Sequence, residues 1–179
     1  LKVRPPLHSF AGTSLRPDGA PQPPMIDAEA VAASQAGLDD AGLPEAVDSL
    51  HKAEALAAAG TEREQWHVAA VRAWVDGQFE QAADCWERAL LIAPRDALAL
   101  IAAHQADFFL GASQSLRDRI ARVLPAWDAD TPGYGYVLGM HAFGLEEMGD
   151  YAAAEQAGRH AVELNPRDAW AIHAVAHSY

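Results

Sequence analysis

Lysine is nearly missing from this chain, with only Lys2 and Lys52 present. Thirteen basic residues stand against 25 acidic ones, a formal net charge of −12, and no basic stripe forms outside Arg117, Arg119 and Arg122. Phosphate backbones are bound by clustered Lys and Arg, so no nucleic-acid partner is expected. Cys85 is the one cysteine. It cannot close an internal disulfide and fits a reducing compartment, so a cytoplasmic location is expected. No apolar run approaches the roughly 20 residues that cross a bilayer, and the opening LKVRPPLHSFAGTSL lacks the apolar stretch of a secretory signal. No membrane partner is expected either. Val-, Ile-, Thr- and aromatic-rich runs of strand length are also missing, which leaves an all-α chain.

Proline, by contrast, is concentrated. Six of the eleven prolines fall within the first 24 residues. Proline lacks an amide donor and disfavours helix in the residue before it, so 1–24 reads as an extended or disordered tail. Position 1 is not methionine, and Met25 is the first in the chain, so the expectation is either a fragment or first residues that do not belong to the folded product.

From Met25 onward the punctuation becomes regular. LLIAPRDALAL and ELNPRDAWAI share Pro-Arg-Asp-Ala, at Pro94 and Pro166, 166 − 94 = 72 residues apart. That is two periods of about 34 plus an insertion. Ahead of each proline a glycine (Gly77, Gly149) precedes an aromatic (Phe79, Tyr151) and alanines seven apart: Ala82 and Ala89, Ala154 and Ala161. Seven residues make about two helical turns, so each pair lies on one face and admits a close neighbour. The glycines should end helices through a left-handed conformation, and Asp96 and Asp168 should cap the next ones.

These blocks resemble tetratricopeptide repeats, helix–turn–helix units. Trp66, Ala70, Gly77, Phe79, Ala82, Trp86, Ala89 and Pro94 match that pattern, as do Ala142, Gly149, Tyr151, Ala154, Ala161 and Pro166; Gly158 stands where an aromatic is usual. Over about 63–179 the segments HQADFFLG, LRDRIARVLPAWD, PGYGYVLGMHAFGLEEMGDY and PRDAWAIHAVAH are similar to the tetratricopeptide repeat protein 38 family. The resemblance implies an α-α superhelix of antiparallel helix pairs. Its expected divisions are a degenerate pair at 25–60, repeats at 63–96, 97–130 (degenerate) and 135–168, and a truncated helix at 169–179. The loop DADTPGYGY, 128–136, would be the flexible insertion. No second helix follows 169–179, so the natural protein is expected to continue.

The resemblance further implies that the first helix of each repeat lines a concave groove. Its groove-facing pattern falls on Glu64, His67, Val71 and Trp74; Leu98, Ile101, Gln105, Phe108 and Phe109; Tyr136, Gly139, Phe143, Glu146 and Glu147; and Trp170, His173 and His177. That wall is aromatic and mildly acidic. It lacks the Lys, Arg and Asn with which such proteins clamp terminal carboxylates, so an apolar peptide or partner helix is the expected ligand. A non-catalytic scaffold needing no cofactor follows.

Other readings compete with it. His173 and His177, four apart on one helix, have the spacing of shared metal ligands. The intervening Ala-Val-Ala offers no base, and a third ligand would come from His104, Asp107 or Glu146. His104 and Asp107 stand where a helix contact wants a small residue and an aromatic, so they must bond each other or a neighbour, or serve as an acid–base pair. A metal-dependent or acid–base enzyme built on His104, Asp107, His173 and His177 is therefore the alternative. Self-association through an uncapped C-terminal end is a third reading. Cys85 reads as a small core residue, Glu146 and Glu147 as a solvated helix end, and the three arginines as an outer face paired with Asp118 or other acids.

Overall fold

Helix starts and stops are written locally, and the computed structural model, which describes residues 43–178, follows them. Eight α-helices succeed one another among the described residues, with no strand: α1 Leu43–Ala57, α2 Glu62–Val75, α3 Phe79–Ile92, α4 Ala97–Leu110, α5 Ser113–Val123, α6 Tyr134–Glu147, α7 Tyr151–Leu164 and α8 Ala169–His177. Thr61 and Glu64 form a reciprocal capping box on α2. Asp96, Asp150 and Asp168 each accept a backbone amide at the starts of α4, α7 and α8. Such caps satisfy amides that have no partner within the helix. Gly77, Gly111 and Gly149 turn the chain at φ of 74°, 66° and 78°. The residue after each donates its amide five residues back: Gln78 to Ala73, Ala112 to Asp107, and Asp150 to Leu145. This closure is accessible because glycine has no Cβ to clash.

Each helix packs against the next, and α6 also packs against α8. The result is an all-α repeat architecture of paired helices: α2 with α3, α4 with α5, α6 with α7, then α8. The alanines explain the close packing. Ala70, Ala82, Ala89, Ala142, Ala154 and Ala161 are all completely buried, as their spacing predicts. Cys85 is buried among them in the main core cluster, where burial pushes its thiol up. The tail 1–24, the first half of the pair at 25–60 and Tyr179 lie outside the described residues. No helix among the described residues is long and apolar enough to cross a membrane.

Two expectations about packing need correction, and one departure from the repeat pattern is accommodated. The loop drawn over 128–136 stops earlier: Gly133 takes φ 92° as the cap, and α6 begins at Tyr134, whose ring packs on the core. Gly158, where the repeat pattern has an aromatic, is filled from the next helix; a Cβ there would meet Val175 Cγ2 at 2.7 Å. Arg119 does not cover the outer face. It is buried and donates to both Asp107 oxygens, at 2.8 and 3.1 Å, and to Glu87. Arg117 does pair with its neighbour Asp118, at 2.7 Å, and Arg122 pairs with Glu87.

Candidate functional site

The first helices α4, α6 and α8 share one band of rings. Phe108 of α4 has its ring centroid 5.7 Å from Phe143 of α6 and 5.7 Å from Trp170 of α8. Phe143 lies 4.6 Å from Trp170 and 5.3 Å from His173. His173 then continues to His177 at 4.0 Å. Most of these contacts are edge-on or tilted, the arrangement that ring quadrupoles favour. Phe143 is the hub and is 1% exposed, so it supports the band from beneath rather than touching a ligand. The exposed ends are Phe108 and Phe109, 39% and 58% exposed, and the two histidines. Trp170 is half-buried between them, and Gln105 stands half-buried on α4. Tyr136 is exposed near the start of α6.

Other expected groove residues are engaged elsewhere. His67 Nε2 lies 2.7 Å from Asp96 Oδ2, so it is committed to a helix cap. Trp74 packs edge-on against Phe79 and beside Trp86, inside the α2–α3 pair. Gly139 is buried, and a Cβ there would meet Asp168 Oδ2 at 2.2 Å. In each case the neighbouring helix covers a face that the repeat pattern alone leaves open.

The four-residue set His104, Asp107, His173 and His177 does not converge. Asp107 turns to Arg119. Burial pushes its carboxyl up, and the guanidinium works against that. His104 faces the rings of Phe143 and Trp170, at 5.9 and 5.5 Å, and neither ring nitrogen has a hydrogen-bond partner. Burial, with the Arg119 charge adding, lowers its imidazole to about 4, so it is neutral at pH 7. The two side chains, three apart on α4, are divided between an ion pair on one side and an aromatic band on the other.

Glu146 takes the place they leave. It is not solvated: its side chain is 10% exposed beneath α8, whereas Glu147 is exposed. Glu146 Oε1 lies 3.2 Å from His177 Nδ1, and Oε2 is buried without a partner. One ligand atom each from Glu146, His173 and His177 falls within 4.8 Å of the others, and among the described residues no other group of His, Cys, Asp and Glu gathers in this way. The signal available in the sequence was the His-x-x-x-His spacing. Position 146 was identifiable only as one of several third partners. No protein-family model matches the chain.

Proposed function

We propose that this chain is a non-catalytic interaction scaffold of tetratricopeptide type, similar to the tetratricopeptide repeat protein 38 family, and that it holds an apolar peptide or partner helix along its first helices. The observation that carries this reading is the aromatic band crossing α4, α6 and α8, with Phe108 and Phe109 exposed at one end. Exposed aromatics on a rigid base supply large contact area at little entropic cost. The net charge of −12 and the lack of Lys or Arg along the band favour an apolar or weakly basic segment over an acidic tail. A single buried thiol suits a cytoplasmic setting. The acid–base alternative loses its support, because His104 and Asp107 point to different neighbours.

Selection of random peptides on the purified chain, followed by fluorescence anisotropy with the synthetic winners, tests the proposal. Winners should carry aromatic or aliphatic anchors and lose about tenfold or more in affinity on Phe109→Ser. Unchanged binding by that variant, or micromolar binding of a peptide with an acidic C-terminus, would overturn it.

A further inference from the structure

We infer that Glu146, His173 and His177 form a binding site for a divalent transition-metal ion of the zinc type. The elements that build it are fixed independently of any ion. The α6–α8 contact places Glu146 beneath the histidines, and the four-residue spacing on α8 turns both imidazoles to the same side. Two imidazoles and one carboxylate are a ligand set that suits zinc, cobalt, nickel or copper rather than oxygen-seeking calcium or magnesium.

The distances agree. With metal–ligand bonds of about 2.0–2.1 Å, the edge of a tetrahedral site is roughly 3.3 Å. His177 Nδ1 and Glu146 Oε1 already stand 3.2 Å apart. All three ligand atoms lie within 4.8 Å of one another, and both imidazoles are exposed and free to rotate toward a shared ion. The carboxylate is held more firmly. It is nine-tenths buried, and its Oε2 has no hydrogen-bond partner. A buried carboxylate oxygen without a partner is costly, and a cation beside it removes that cost. Glu146 also lies in the last turn of α6, where the helix dipole favours positive charge.

Phe143 packs against His173 from behind, which orients the ring as a supporting shell would. Three protein ligands leave one position of a tetrahedron for water or a donor group on a partner. His104 and Asp107 take no part. The site does not depend on the peptide-binding reading, since its ligands are complete within this chain.

The experiment uses the whole chain without a polyhistidine tag. Zinc is titrated calorimetrically, and cobalt(II) is titrated while its visible absorption is followed. One zinc per chain is expected, with cobalt giving the intense bands of a tetrahedral site. His173→Ala and His177→Ala should each weaken zinc by roughly a hundredfold, the upper end of what losing even an outer-shell partner costs. Glu146→Gln, of the same size, should weaken it by about tenfold or more. His51→Ala, on the exposed face of α1, should change nothing. Circular dichroism checks that each variant keeps its helices, and the Gln variant serves if an Ala variant does not. Absence of stoichiometric zinc, or zinc held equally well by the Glu146 and His173 variants, would overturn the site.

Discussion

Asp96 and Asp168 occupy the same cap position 168 − 96 = 72 residues apart, yet only Asp96 has side-chain partners. Asp96 Oδ2 receives Arg63 at 2.9 Å and lies 2.7 Å from His67. Shifting those two partners by the same 72 residues gives Gly135 and Gly139, which carry no side chain. Asp168 therefore caps α8 through Oδ1 while its Oδ2 is buried without a partner. Burial works to raise both carboxyls. For Asp96 the bonds from His67 and the Ala99 amide and the Arg63 charge outweigh it, so its carboxyl sits below the usual value. For Asp168 burial prevails, and its carboxyl sits above.

The two caps should consequently respond to pH in opposite ways. Asp96, lowered on folding, contributes stability above its unfolded value of 3.8, and this is lost as pH falls through the folded value. Asp168, raised on folding, contributes most below 3.8 and loses that contribution as pH rises through its folded value. At pH 7, Asp96→Asn should cost about 2 kcal/mol, because it weakens the charge-assisted bond from Arg63 and the contact with His67. Asp168→Asn should cost nothing or raise the melting temperature. Paired thermal melts decide this, and equal losses would contradict it.

His104 should make the fold acid-sensitive. Its imidazole is lowered from 6.5 to about 4 by burial, so the unfolded chain binds the extra proton between those values. Stability must then fall as pH drops from 6.5 toward 4, by on the order of 3 kcal/mol for this group. His104→Leu should flatten that part of the profile and leave stability at pH 7 unchanged or improved. Urea titrations of both proteins at pH 4.5 and 7 measure the difference.

Arg119 pairs with Asp107 and, together with Arg122, with Glu87 inside the α3–α4–α5 packing. Removing it in Arg119→Met leaves a buried carboxylate unpaired, at a cost of about 3–5 kcal/mol. Adding Asp107→Leu should recover much of that loss, because an apolar pair of similar volume is tolerated. A double-mutant cycle by chemical denaturation separates this from simple loss of packing; a single variant losing under about 1 kcal/mol would contradict the pairing.

Gly144 marks where α6 approaches the backbone of α5. A Cβ there would lie 2.8 Å from both the nitrogen and the Cα of Arg117. Gly144→Ala should therefore destabilise by about 1–3 kcal/mol, despite the better helix propensity of alanine. Gly158→Ala meets only a side-chain methyl of Val175 at the tightest point and should cost less. Melting temperatures of the two variants rank them.

The band and the Glu146–His173–His177 cluster were legible only in part. Phe108, Trp170, His173 and His177 could be placed on first helices from the resemblance to the repeat pattern. Phe143 shares that register but is covered, because Phe108, Trp170 and His173 close over it. Trp74 and His67 share it as well, and they are drawn to α3 and to the cap of α4. A repeat pattern assigns a direction to each position on one helix. It does not say how near the following helix comes.

What the residues determined on their own was local: where helices start and stop, and which alanines face a neighbour. Capping aspartates, left-handed glycines and a two-turn spacing act within a few residues, so they can be read in order along the chain. Which carboxylate lies under the histidines, and how tightly Asp168 is enclosed, was decided by how closely α6 meets α8 and Asp168. That distance is set by side chains on both sides of the contact, from segments far apart in the chain, and it exists only once the helices have stacked.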